Sequence, residues 1–252
     1  MPASPSSSPR PALLALTPLG QLRAGRLPSR LLRLFVGLTF FGVAMGAFVR
    51  AGLGVAPWDV LHLGLSRHIP LSLGTIIIVV GLLVLLAWIP LRQWPGLGTI
   101  ANTIWIGVSA DLTLWLLPEI HGLALQIAVI AAALVVNGLG GALYIGSQFG
   151  AGPRDGLMTG LHLRTGWSLR VIRTGIEVTV LAIGWLLGGT VGLGTVGLGT
   201  VAYALLIGPS TQFFLRWTVV DLSPPAASDP TAADRDTAPC PGGTAPGSTE
   251  NG

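Results

Sequence analysis

The chain has no lysine, a single cysteine and few charges of either sign, and each scarcity removes a class of protein. Charged residues make up 10% of its 252 positions, against roughly 25% in a soluble globular domain, so a water-soluble globule is excluded. The lone Cys240 leaves no internal disulfide framework and says nothing about redox compartment. All 14 basic residues are arginine, and none of their clusters is interleaved with aromatics as single-strand binders require. The net charge of +4 therefore does not point to nucleic acid. His62, His68, His121 and His162 show no zinc spacing and have no cysteine beside them, so they read as interfacial and no metal is expected. No serine sits in a nucleophile elbow and no paired-carboxylate hydrolase pattern is visible. Neither an enzyme nor a cofactor is expected.

What the chain does have is apolar length. It is 51% hydrophobic, with a mean hydropathy of +0.72. No acidic or basic residue occurs between Arg67 and Arg92, Glu119 and Arg154, or Glu177 and Arg216, runs of 24, 34 and 38 residues. A bilayer-crossing helix needs about 20. Proline, glycine and charge divide this material into six long segments, 31–50, 73–91, 97–117, 123–146, 169–188 and 195–216, and two short ones, 57–66 and 153–164. A ten-residue helix covers roughly 15 Å, about half the hydrocarbon thickness, so the short pieces are re-entrant half-helices or lie at the interface. Residues 1–30 read as a disordered basic leader. Residues 219–252, rich in Pro, Ala, Ser, Thr, Gly and Asp, read as a disordered polar tail. With the N terminus inside, most arginines fall on the cytoplasmic side and only Arg50 and Arg67 lie outside, which puts both termini in the cytoplasm.

A shift of 96 residues exposes a repeat. Gly54, Pro57, Asp59, Leu61, Gly64 and Leu65 fall on Gly150, Pro153, Asp155, Leu157, Gly160 and Leu161; Ser72 and Leu73 fall on Ser168 and Leu169. GLGT at 96–99 falls on GLGT at 192–195 without a gap. The fold class expected is an all-α polytopic membrane protein of about six transmembrane helices in two three-helix repeats, 31–118 and 119–218, each with a short half-helix. Three crossings per unit turn the second copy upside down relative to the first. If the short pieces crossed fully, each unit would have four spans and the repeats would be parallel; their length argues against this.

GLGVAPWD and FGAGPRD have the makings of helix starts: glycine for the turn, proline for the first helical position, an acid for the helix dipole. Two readings of Asp59 and Asp155 stand side by side. They cap their own helices, or they build a solute site where two half-helices open from unwound backbone at membrane depth. The candidate solute-binding residues are Gly54, Pro57, Trp58, Asp59, Gly150, Pro153, Arg154 and Asp155. Asp111 and Glu177 are candidate coupling groups within spans, Glu177 with the alternative of an in-helix salt bridge to Arg170 or Arg173. Asn102 and Asn137 are intramembrane polar residues, of the kind that more often bond neighbouring helices than a ligand. GLGTVG at 192–197 matches the dinucleotide fingerprint in letters only, having no strand before it and no downstream acid. Gly184, Gly188 and Gly192 instead suit close helix packing. The eight tryptophans mostly fall near segment ends, as interfacial anchors do.

Four runs, GLGVAPWDVLHLGL, IPLRQWPGLGTIANTIWIG, GPRDGLMTGL and IEVTVLAIGWLLGGTVGLGT, together resemble the YczE/YitT-like family of bacterial integral membrane proteins. The resemblance spans about 31–217 and implies an inner-membrane location but no substrate. The YitT branch typically carries a soluble C-terminal domain, which is not expected here, so the YczE-like branch is favoured. The leading expectation is a secondary transporter or permease-like carrier of an unidentified small solute. A non-transporting accessory or scaffold of another membrane or biosynthetic complex is the alternative. The expected partners are the lipid bilayer and that solute, with homo-oligomerisation left open.

Overall fold

The computed structural model describes residues 18–188, 196–220 and 222. The chain divides into two units, Met1–Asp221 and Leu222–Gly252; every helix below lies in the first, and of the second only Leu222 is described.

Among the described residues the secondary structure is helical: α1 (Pro18–Arg23), α2 (Leu27–Ala51), α3 (Pro57–Ser66), α4 (Leu73–Leu91), α5 (Leu97–Leu116), α6 (Leu123–Gly146), α7 (Pro153–Thr165), α8 (Leu169–Leu186) and α9 (Leu198–Thr218). Four of these, α2, α4, α6 and α9, are long and apolar enough to cross a bilayer. Helices α5 and α8 have comparable length, at 20 and 18 residues, but carry Asn102 and Asp111, and Arg170, Arg173 and Glu177, respectively. The two short helices run for 10 and 13 residues, roughly 15–20 Å at 1.5 Å per residue.

Local chemistry sets the ends. Ser72 and Ser168 cap α4 and α8 by accepting backbone N–H bonds from Thr75 and Val171, at 3.1 and 3.4 Å, which satisfies one otherwise orphaned donor in each. Pro57 and Pro153 occupy the first turns of α3 and α7 after extended caps at Ala56 and Gly152, where a missing N–H costs nothing. Gly96 and Gly197 begin α5 and α9 identically, each donating its N–H to the threonine three residues on, Thr99 at 3.1 Å and Thr200 at 3.2 Å.

Helix α2 packs along α5 and α6, and α6 along α9. The α2–α6 crossing is close because Gly37 and Gly140 face each other; a Cβ on either would lie 2.7 Å from the other's carbonyl oxygen. Small residues permit such approach where apolar lipid supplies no hydrophobic drive for association. The short helices pack across the two sequence repeats: α3 on α8, and α7 on α4.

Several expectations change. The GLGT that starts α9 in the same way as 96–99 starts α5 is 197–200, not 192–195; the latter lies outside the described residues. The offset is therefore 96 up to α7 and α8 and 101 at α9, so the repeat contains five extra residues. Contacts follow the new register: Gly42 meets Ser109, and Gly138 meets Ser210. The expected leader is described only from Pro18, where α1 forms; residues 1–17 and 223–252 lie outside the described set.

Arg30 is not a solvated basic residue. It is fully buried, donating to Gln21 O at 2.6 Å, Ser147 O at 2.9 Å and Gln148 O at 3.0 Å, with its guanidinium 4.2 Å from the Phe149 ring centre. Gly184 packs against Val60 and Leu61 as expected, whereas Gly188 lies beyond α8 with φ of 117°. Trp58 and Trp88 are buried rather than interfacial, and His62 is buried too, while Trp94, Trp115, Trp167 and Trp217 are exposed.

Candidate functional site

The segments before α3 and α7 are irregular backbone placed deep in the molecule. Gly54 and Gly150 have φ of 117° and 104°, a region only glycine enters cheaply. Each segment is met by a long helix of the other sequence repeat. The Gly98 N–H at the start of α5 donates to Phe149 O, and the Gly199 N–H at the start of α9 donates to Leu53 O, both at 2.9 Å. Residues 53 and 149 are 96 apart, and 98 and 199 are 101 apart. Thr99 also donates its hydroxyl to Ala151 O at 2.6 Å. The carbonyls of Leu53, Phe149 and Ala151 are thus satisfied by the opposite repeat, as burial in an apolar surround demands.

The first turns of both short helices open onto one cavity of about 310 Å³. Pro57, Trp58, Pro153, Arg154 and Asp155 line it, with Asn102, Asn137 and Glu177. Of the candidates named from sequence, these converge. Gly54 and Gly150 do not line the cavity but shape the turns that lead into it. Asp59 and Asp111 are elsewhere. A smaller cavity of about 40 Å³ adjoins it, sharing Trp58, Asn102, Pro153 and Arg154.

Arg154 forms no hydrogen bond and no ion pair among the described residues. Its guanidinium lies 5.8 Å from the Phe41 ring centre and 5.5 Å from that of Trp58, within reach of cation–π attraction. Asp155 is accessible to the cavity and accepts the Gly152 backbone N–H, as the third residue of a helix does when it reaches back to its cap. A Cβ built on Gly152 would lie 3.2 Å from Tyr144 Oη, 3.4 Å from Asp155 Oδ2 and 3.5 Å from Asn102 Nδ2, which places three polar groups around that glycine. Two further polar atoms at the cavity wall are buried without a partner: Trp58 Nε1 and Asn137 Oδ1. Their residues are 6% and 2% exposed. Asn137 therefore does not bond a neighbouring helix through that oxygen.

The remaining candidate acids each hold a contact within the fold. Asp59 is buried, with Oδ1 3.3 Å from His62 Nδ1. Asp111 accepts from the Ser72 hydroxyl at 2.5 Å and from the Gly74 N–H at 2.7 Å, so it ties α5 to the start of α4. Glu177 forms the in-helix pair with Arg173, at 3.0 Å, and both line the cavity.

Sequence reasoning missed Tyr144, Tyr203, Thr211, Gln212 and Arg173 in the lining. A signal existed on α9: Tyr203, Ile207, Thr211 and Leu215 recur every fourth residue, one stripe of a helix. The 96-residue register misaligned that helix with α5 and hid it.

An all-helical membrane protein with a polar cavity between its apolar helices is the class these features define. The chain belongs to DUF6198, a family of unknown function, which matches residues 28–216. It is 37% identical over 182 residues to an uncharacterized protein of Haemophilus influenzae, covering 72% of this chain and 81% of that one. It is 35% identical over 161 residues to the uncharacterized membrane protein YczE of Bacillus subtilis, covering 63% and 74%. Bacillus subtilis YyaS, also uncharacterized, is 25% identical over 162 residues. The chain is YczE-like. No solved structure matches it.

Proposed function

We propose that this protein is a secondary carrier of a small solute in the bacterial inner membrane. In this reading α2, α4, α5, α6, α8 and α9 are six crossings in two inverted three-helix units, α3 and α7 are half-helices entering from opposite faces, and both termini are cytoplasmic. The observation that carries it is the convergence of both half-helix starts on one cavity beside an arginine that has no hydrogen bond or ion pair among the described residues. Half-helix N-termini at a repeat interface concentrate positive potential where a solute can bind, and unwound backbone is tolerated there because it lines a cavity. The cross-unit bonds of Gly98 and Gly199 supply the reciprocal contacts expected of two related halves. No reaction is assigned.

Proteoliposomes test it. Wild-type protein should give solute-dependent counterflow in a screen of small labelled metabolites, and Arg154→Gln should abolish it while eluting as folded protein. Absence of flux together with stable copurification of another membrane protein would support an accessory role instead. For topology, cysteines introduced near positions 55 and 151 should label from opposite faces; labelling from one face defeats the inverted arrangement.

A further inference from the structure

We infer that the cavity takes a zwitterionic solute, one carrying an anionic group and a cationic group on a small apolar frame. The inference deepens the carrier reading, on which it rests for the choice of site. Four charged side chains line the cavity. Arg173 and Glu177 neutralise each other at 3.0 Å, which leaves Arg154 and Asp155. These two are neighbours in sequence, yet no ion pair forms between them among the described residues, and both face the cavity. Asp155 is exposed and Arg154 half-buried, so both can meet a ligand directly. A plain anion would satisfy Arg154 but bring a second negative charge to Asp155; a plain cation would do the reverse. Only a solute with both charges completes both groups.

The partnerless polar atoms sort in the same way. Trp58 Nε1 is a donor without an acceptor, and its ring is 5.5 Å from the Arg154 guanidinium. Arg154 thus offers its N–H groups to an anionic end, with the Trp58 ring beside it. Asn137 Oδ1 is an acceptor without a donor in the cavity wall, and Asp155 offers its carboxylate to the cationic end. A volume of about 310 Å³ sits at the small end of ligand pockets and suits a metabolite of a few carbons.

The test is isothermal titration of the full-length protein in detergent with 4-aminobutyrate, glycine betaine, butyrate and butylammonium. At least one of the two zwitterions should bind about tenfold or more tightly than either singly charged compound. Arg154→Gln should remove that binding. Asp155→Asn, which retains an oxygen for the Gly152 N–H, should bring butyrate up to the affinity of the zwitterion. Equal or tighter binding of butyrate or butylammonium by the wild type, or binding of none of the four, overturns the inference. Flux is read separately: zwitterion binding without counterflow would sink the carrier and leave the ligand class standing, whereas counterflow of a plain anion would do the opposite.

Discussion

Asp59 and Asp155 occupy the same position in α3 and α7, third after an extended cap and second after a proline, and yet they have different employment. Three residues on, α3 has His62, and the carboxylate and imidazole close on each other in the protein interior. The matching position in α7 is Met158, which can make no such pair, and Asp155 is left to the cavity. One residue earlier the difference runs the other way: Trp58 contributes a ring and a buried N–H, while Arg154 contributes the charge. Packing beneath the two helices is also exchanged. The backbone of α3 at Val60 and Leu61 lies directly on Gly184 of α8, whereas Gly156 of α7 receives the ring of Trp88 from α4, so the glycine of the crossing has changed sides between the two repeats. The sequence repeat supplies a common pattern, and substitutions at matched positions give one short helix a buried Asp59–His62 pair and leave the other's acid at the cavity.

The approach segments differ most, and a change there should have the largest effect. Residues 53, 55 and 56 before α3 are apolar and buried. The segment before α7 is instead pinned by Arg30 through the carbonyls of Ser147 and Gln148. Arg30→Ala would orphan buried carbonyls and should cost roughly 3–5 kcal/mol, measured by denaturant unfolding in detergent. Gln126, which matches Arg30 at the 96-residue offset, makes a single side-chain bond among the described residues, to Ile120 O, so Gln126→Ala should be nearly silent. Equal losses from the two would break the comparison. The exchanged packing comes next. Gly156→Val collides with the Trp88 ring and should cost about 3 kcal/mol; adding Trp88→Gly removes that ring and should recover part of the loss, despite forfeiting the bond from Trp88 Nε1 to Pro153 O.

Helix limits were legible where chemistry punctuates the chain. Ser72, Pro90 and Arg92 bracket α4, whose sequence expectation of 73–91 is the observed span, and Pro57 and Pro153 fix the starts of the half-helices. Family membership was equally readable from the Gly-Pro-Asp runs. The register of α9 was not, because two GLGT copies lie five residues apart and only the caps distinguish them. The fates of the acids were hidden for another reason. Whether Asp59 meets His62, or Asp111 meets Ser72 and Gly74 from a helix away, depends on side-chain direction and on tertiary packing, and spacing reports the first weakly and the second not at all. Arg30 misleads in the same manner: charge counting assigns it to a cytoplasmic loop, whereas its guanidinium binds backbone inside the fold.

Reciprocal swaps at the matched position give a sharper, smaller effect. His62→Met leaves Asp59 buried without its partner and should cost about 1–3 kcal/mol, with solute binding at the cavity unchanged in the folded fraction. Met158→His gives Asp155 the partner that Asp59 already has. It should leave stability level or slightly raised and weaken zwitterion binding, both read in one titration and one melt. If His62→Met lowered affinity as strongly as Met158→His, the two aspartates would share one role and the division of labour drawn above would fail.

The least costly contrast lies between α5 and α9, where the 101-residue offset matches Asp111 with Gln212. Asp111 leaves the cavity and satisfies the start of α4; Gln212 stays in the cavity wall. Asp111→Asn keeps an oxygen for either the Ser72 hydroxyl or the Gly74 N–H but loses the charge that favours a helix N-terminus, a change of about 1 kcal/mol. Gln212→Ala removes cavity lining and should instead alter solute affinity with little change in unfolding. Measured together, the pair separates an acid that positions a helix from an amide that faces the solute. A loss of solute binding in Asp111→Asn with stability unchanged would return Asp111 to the coupling role that its place within a span first suggested.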